Sequence, residues 1–248
     1  FTTFGPVTSP LAPEEERDPY YIGDNYKMWM DVHVMVYVGF GFLMVFLRAH
    51  SWTSLAFNFL TAAWAFLCSG LWIGFWERVW HDHFEHHKIE LSVRQMCDAD
   101  FGAATVLITM GALLGKVNAY QLLFVATIET CFAALCYTLT YTVYGAADIG
   151  GSMWIHCFGG LFGIICSWAY RNPKEKEQKF AHSSYHSNVF SFIGTLFLWL
   201  YWPSFNGALQ AGNSKHRAVV NTVLSMMVSS FSGLIISMLL HKGKMNIE

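Results

Sequence analysis

The segment DIGGSMWIHCFGGLFGIICSWAY, residues 148–170, decides how the rest of the chain is interpreted. After Asp148 it contains no Asp, Glu, Lys or Arg until Arg171. A helix rises about 1.5 Å per residue, so these residues extend over roughly 33 Å, which matches the thickness of a bilayer's hydrocarbon core. The segment therefore predicts a transmembrane helix.

Similar apolar blocks lie on both sides of this segment. Together they predict seven spans, at residues 28–47, 54–76, 96–115, 119–141, 149–170, 188–205 and 217–241. Hydrophobic residues make up 54% of the 248 residues and charged residues only 13%, which leaves too little polar surface for a water-soluble fold. The predicted fold class is an all-α polytopic membrane protein.

The chain divides into two predicted regions. Residues 1–27 contain prolines, acidic residues and tyrosines where a secretory signal would have an apolar stretch, so they predict an extracellular or otherwise aqueous segment. Residues 28–248 are predicted to form the transmembrane domain. Because the chain begins at Phe1 rather than at methionine and stops at Glu248 soon after a span, we expect it to be a fragment of a longer protein.

The basic residues predict the orientation of the spans. They do not cluster, which argues against a nucleic-acid partner. The predicted spans place eight of the 15 Lys and Arg residues on one side of the membrane and seven on the other. The eight are Arg48, Lys116, Arg171, Lys174, Lys176, Lys179, Lys242 and Lys244. By the positive-inside rule that face is predicted to be cytoplasmic.

Two ionisable residues in the deciding segment are candidates for function. Asp148 stands at its start, and His156 lies eight residues later, roughly 12 Å deeper. Asp148 either caps the helix by accepting backbone N–H bonds or attracts cations to a pore mouth. His156 is either a core histidine bonded within the chain or part of a path through the membrane, because an imidazole at this depth needs a polar partner.

Other acidic residues fall within or near the predicted spans. Glu129 lies midway along the span at 119–141, where we expect it to be protonated or bonded to a neighbouring helix. Asp98 and Asp100 stand at the outer end of the span at 96–115, where caps and dipole partners are common and a vestibule role is possible.

Two histidine clusters suggest metal binding at first sight. One is His81-Asp82-His83-Phe84-Glu85-His86-His87 and the other is His182-Ser183-Ser184-Tyr185-His186. Such clusters hold iron in membrane desaturases, but the predicted spans place these two on opposite sides of the membrane, and no third cluster accompanies them. We therefore expect no metal site and no cofactor, and an iron enzyme remains an alternative.

Several strings resemble the Rh glycoprotein branch of the ammonium transporter family. They occur in the family's order and cover nearly the whole chain. They are Asp31-Val-His-Val-Met35 with Gly39-Phe-Gly-Phe-Leu-Met44, Asp100-Phe101, Leu114-Gly-Lys-Val117, Gly150-Gly-Ser-Met-Trp-Ile-His156 with Phe158-Gly159, and Gly194-Thr-Leu-Phe-Leu-Trp-Leu-Tyr-Trp-Pro-Ser-Phe-Asn206.

The resemblance implies a fold and a set of site residues. Family subunits have eleven or twelve spans, assemble as trimers in the plasma membrane, and each contain a narrow apolar pore. It implies that His156 is the first of two pore histidines and that Asp148 is the acid near the outer vestibule. It also implies that Phe101 and Phe205 are the stacked phenylalanines that close the outer mouth.

The implied function is passage of ammonia across the membrane after ammonium loses its proton, with carbon dioxide as a possible second substrate. The partners implied are ammonium or ammonia, the lipid bilayer and two further copies of the chain. Two features depart from the family pattern, namely the absence of the last four spans and the charged residue Glu129. The alternative is a non-conducting scaffold protein of the Rh type.

Overall fold

The computed structural model describes residues 2–4, 22–81, 89–171 and 182–244. Its first helix, α1, changes its hydrogen-bonding pattern along its length. It is α-helical, then π-helical, again α-helical and finally 3-10 helical, over Ile22–Val34, Met35–Gly39, Phe40–Leu43 and Met44–Phe46. No proline interrupts these residues, so the helix continues across each change.

Six more helices follow in the described part of the chain. Helices α2 and α3 cover Ser51–His81 and Val93–Leu113. Helix α4 covers Ala119–Thr138 and ends in a π-helical segment, Leu139–Val143. Helix α5 begins with the π-helical segment Ser152–Cys157 and continues as an α-helix over Phe158–Ala169; α6 and α7 cover Tyr185–Gly207 and Gly212–Leu240.

These helices confirm the predicted fold class of the membrane-embedded part. Six of them are long and apolar enough to cross a bilayer. Helix α6 is also long enough, at 23 residues, but its serines, tyrosines, tryptophans and Pro203 make it less apolar. Each of the seven predicted spans therefore corresponds to a helix, and six of these helices have the length and composition needed to cross a bilayer.

Five of the seven described helices begin three to six residues before the predicted spans, and in α3 and α6 polar residues close the added first turn. Ser92 caps α3 in a capping box with Gln95, so α3 starts at Val93 rather than at residue 96. Helix α6 uses Ser184 and Ser187 in the same way. An apolar pattern locates the membrane-embedded middle of a helix and misses such polar first turns.

Helix α3 is the centre of the described bundle. Of its most apolar stretch 78% is buried, against 0% for α7. It packs against α1, α2, α4 and α5. Helix α7 packs along α6 and presents the rest of its apolar surface outward.

The contact between α3 and α5 depends on two glycines four residues apart. A Cβ atom on Gly159 would lie 2.8 Å from the carbonyl oxygen of Thr105, and one on Gly163 would lie 3.1 Å from the Cα atom of Thr109. Small residues in membrane helices allow backbones to approach this closely. The two glycines therefore allow α3 and α5 to pack closely.

A two-stranded parallel pair adds to the helices. Strand β1, Thr2–Phe4, pairs with β2, Ile89–Leu91, in the connection between α2 and α3. The sequence prediction contained no strands. These three-residue strands lie outside the helices that are apolar enough to cross a bilayer, so the membrane-embedded part remains all-α.

Candidate functional site

Two phenylalanines from different helices meet in the core. Phe101 on α3 and Phe205 on α6 are both 0% exposed, and their ring centroids lie 4.4 Å apart with an interplanar angle of 40°. Trp154 on α5 lies 6.4 Å from the ring of Phe101. Three helices therefore contribute aromatic rings to one buried cluster.

His156 lies directly against this cluster. Its imidazole centroid is 5.9 Å from that of Phe205 and 5.6 Å from that of Trp202, which itself stacks on Phe205 at 5.0 Å and 11°. The Nε2 atom of His156 is buried, and no residue in the described ranges supplies it with a hydrogen-bond partner. The structure thus brings together Phe101, Phe205 and His156.

The backbone around His156 is set by the glycines that precede it. Gly151 has φ of +69°, a left-handed conformation that suits glycine, and it immediately precedes the π-helical turn. Its carbonyl oxygen accepts N–H bonds from Ile155 at 2.9 Å and from His156 at 3.2 Å. Such π-helical segments are frequent at functional sites because they redirect side chains.

Asp148 anchors the start of this helix. Its two carboxylate oxygens accept the backbone N–H groups of Ser152 at 2.7 Å and Met153 at 2.8 Å, and the residue is 5% exposed. The hydroxyl of Tyr141 donates to the Asp148 backbone carbonyl, and the Trp154 indole N–H donates to that hydroxyl at 3.2 Å. The carboxylate is thus engaged in capping, the structural interpretation predicted from the sequence.

Asp98 and Asp100 are buried within α3 in the described part of the chain. They are 4% and 0% exposed, because α3 packs against four neighbouring helices, and both residues lie inside α3, which starts at Val93 rather than at residue 96. Asp100 accepts from the Trp29 indole at 3.0 Å and pairs with Nδ1 of His33 at 3.0 Å. Through these contacts Asp100 joins α1 to α3, and the vestibule role expected for the two acids stays a prediction.

Glu129 has a partner that the sequence did not reveal. The Thr109 hydroxyl on α3 donates to Oε1 of Glu129 at 2.5 Å and is also within 3.1 Å of the Gly159 carbonyl on α5. Glu129 is 0% exposed, and its Oε2 has no partner among the described residues. This polar contact links α3, α4 and α5.

Comparison with known proteins identifies the family. Residues 23–248 match the profile of the Ammonium Transporter Family. The chain belongs to this family. Among curated relatives it is 41% identical over 239 residues to the ammonium transporter Rh type B of Xenopus tropicalis, covering 94% of this chain and 49% of that protein. It is 39% identical over 244 residues to the Rh type C transporter of Rattus norvegicus, covering 96% and 47%.

A solved structure agrees in fold with this family member. It is the structure of Rh50 from Nitrosomonas europaea, which belongs to the Rhesus protein family of channels. The TM-score is 0.81 at 30% sequence identity, covering 91% of this chain and 59% of that one. The chain spans about half the length of the curated relatives it matches. The resemblance to the Rh branch and to its channel fold is confirmed.

Sequence analysis missed Trp202 as a site residue of this family member. Trp202 stacks on Phe205 and contacts His156. Its position three residues before Phe205 was the available signal, because residues three apart share one face of a helix.

The described members of the two histidine clusters, His81 and His182, lie near opposite ends of α2. His81 ends this 31-residue helix, whereas His182 accepts the backbone N–H of Arg48 just before its start. The helix alone separates these ends by roughly 45 Å. Residues 82–88, which hold most of the first cluster, lie outside the described residues. The family is one of transporters, so the iron-enzyme alternative gains no support.

Proposed function

We propose that this member of the Ammonium Transporter Family provides a path for ammonium and ammonia through the membrane. In this proposal Phe101 and Phe205 close its outer mouth and His156 lies just inside. The observation that supports it most is their convergence. Three side chains from α3, α5 and α6 meet in one buried cluster, although nothing local in the sequence forces them together.

The chemistry of the cluster suits a molecule that changes its charge on the way. An ammonium ion that enters an apolar site loses the water around it at a large free-energy cost, whereas neutral ammonia does not. The faces of Phe205 and Trp202 attract a cation, and ammonium gives up its proton to water at the outer mouth. Ammonia then passes His156, whose ring nitrogens can donate or accept a hydrogen bond. Carbon dioxide, also uncharged, would meet the same apolar path.

Asp148 acts in this proposal through the helix that carries His156. Its carboxylate binds the first amides of the π-helical turn, at Ser152 and Met153. The Asp148 carboxylate therefore positions the imidazole of His156, which lies four residues after Ser152. Its negative charge lies at the same end of α5 and favours the approach of a cation.

The apolar outer surfaces favour a membrane assembly. Helix α7 exposes large hydrophobic side chains along its length, among them Leu224, Val228 and Phe231. We propose that the protein resides in the plasma membrane as a homotrimer, with each copy holding its own path and with lipid covering the remaining apolar faces.

The test is an ammonium pulse applied to vesicles that contain the purified full-length protein, with internal pH followed by stopped-flow fluorescence. The expected result is faster alkalinisation than in empty vesicles of the same lipid. Equal rates, with the protein shown to be folded and inserted, would overturn the transport proposal and favour a non-conducting scaffold protein.

A further inference from the structure

A cavity lies at the opposite end of the bundle from His156. It measures about 260 Å³ and is formed where α1 ends and α2 and α6 begin. His186 lines it, and on the same helix Phe205 follows 19 residues later, which corresponds to roughly 28 Å. The cavity is therefore separate from the proposed pore mouth.

The polar and apolar walls of this cavity lie at different depths. Arg48, His186 and the hydroxyl groups of Ser51 and Ser184 come from the ends of helices and the connections beside them. Apolar side chains follow about one turn further into the bundle, and they are Phe42, Leu55 and Phe190. The cavity thus combines a polar, basic mouth with an apolar interior.

Charge at the mouth favours an anion. The Arg48 side chain is exposed and pairs with no carboxylate in the described ranges. Helices α2 and α6, of 31 and 23 residues, both begin at this cavity, so the positive ends of two helix dipoles point to it. Arg48 also lies on the face that the distribution of Lys and Arg predicts to be cytoplasmic.

The walls are held in place by contacts between α1 and α6. The rings of Phe42 and Phe190 stack with centroids 6.1 Å apart, and the Ser191 hydroxyl donates to the Leu43 carbonyl at 2.8 Å. The Arg48 backbone N–H donates to the His182 carbonyl at 3.2 Å. The connection that carries Arg48 is therefore fixed beside the start of α6.

We propose that this cavity binds one anionic phospholipid, with its phosphate at Arg48 and His186 and the upper part of an acyl chain against Phe42, Leu55 and Phe190. Basic pockets between membrane helices on the cytoplasmic side bind lipid head groups of this kind. The apolar interior distinguishes a phospholipid from free phosphate, since free phosphate leaves that part of the cavity unused. This proposal does not depend on transport.

The experiment measures binding of single lipids to the full-length protein in neutral detergent by native mass spectrometry. Phosphatidylglycerol and phosphatidylcholine are compared for the wild type, Arg48→Gln, His186→Gln and the control Arg171→Gln. Arg171 is also exposed on the predicted cytoplasmic face but does not line the cavity. We expect the wild type to favour phosphatidylglycerol, and Arg48→Gln to weaken that binding roughly tenfold, the loss of one charged contact. His186→Gln should weaken it less, and Arg171→Gln should leave it unchanged.

Other outcomes overturn the proposal. Equal losses in Arg48→Gln and Arg171→Gln would indicate diffuse surface charge rather than a site. Full competition by inorganic phosphate at millimolar concentration would indicate a phosphate site without lipid. Thermal unfolding of each variant checks that it is folded, and because Arg48 and His186 are exposed, we expect both to unfold like the wild type.

Discussion

At the scale of single residues, the place of a side chain and the task it performs are two separate questions. The string around His156 predicted a residue at a pore, and in the structure its ring contacts those of Phe205 and Trp202. The role of Asp148 is sharper in the structure than in the sequence, because both of its carboxylate oxygens bind backbone amides. Its chemistry therefore predicts different effects for a loss of charge and a loss of hydrogen bonds.

Asp148→Asn is expected to retain more ammonia flux than Asp148→Ala. The asparagine oxygen can still accept one of the two N–H bonds from Ser152 and Met153, whereas alanine accepts neither and destabilises the helix start by about 1 kcal/mol. Stopped-flow flux, normalised to the amount of folded protein, measures the difference. Equal and complete loss in both variants would show instead that the charge itself is what transport requires.

Thr109→Val is expected to destabilise the protein by about 1–3 kcal/mol, because it leaves Glu129 buried without its hydroxyl partner. Thr195→Val is the matched control, since the Thr195 hydroxyl is exposed and bonds only within α6 to the Ser191 carbonyl. Thermal unfolding in detergent compares the two. Similar unfolding of both variants would show that the contact between Thr109 and Glu129 contributes nothing to stability.

At the scale of helices, most of the architecture was predictable because membrane helices follow from composition. The seven apolar blocks each correspond to a helix, with boundaries displaced where capping boxes such as Ser92 with Gln95 add a polar turn. The burial of Asp98 and Asp100 was not predictable, since it depends on how α3 packs among its neighbours. The place of Trp202 likewise depends on which face of α6 meets α5.

The close contact of α3 and α5 predicts unequal effects at two neighbouring glycines. Gly159→Ala puts a methyl group 2.8 Å from the Thr105 carbonyl, whereas Gly160→Ala meets nothing within 4 Å. We expect the first to lower the free energy of unfolding by about 1–3 kcal/mol and the second to be neutral or slightly stabilising. Thermal unfolding measures both variants. Equal unfolding temperatures for Gly159→Ala and Gly160→Ala would contradict this packing.

At the scale of the whole molecule, the site joins side chains from three helices, α3, α5 and α6. Such convergence could not be derived from spacing alone, because Phe101, His156 and Phe205 are far apart in sequence. It came from the family resemblance, and the geometry agrees with it. The whole-molecule arrangement also separates His81 from His182, which lie near opposite ends of α2.

Replacing the histidines at 81, 83, 86 and 87 with glutamine is expected to leave ammonia flux near that of the wild type. His81 ends α2 and the other three histidines follow it in the sequence, so none of the four belongs to a predicted span. The same vesicle assay tests this, with metal analysis of the purified protein beside it. A large loss of flux, or iron bound in stoichiometric amount, would restore the enzyme alternative.

The central claim is that the convergent cluster of Phe101, His156 and Phe205 is the path for ammonia. The most direct measurement is the ammonia permeability of vesicles containing His156→Ala, compared with the exposed control His216→Ala on α7. Both variants lose one imidazole, but only His156 contacts the cluster. The account predicts that His156→Ala loses more than half of the permeability added by the wild type, while His216→Ala keeps it. Equal permeability in the two variants would contradict the account.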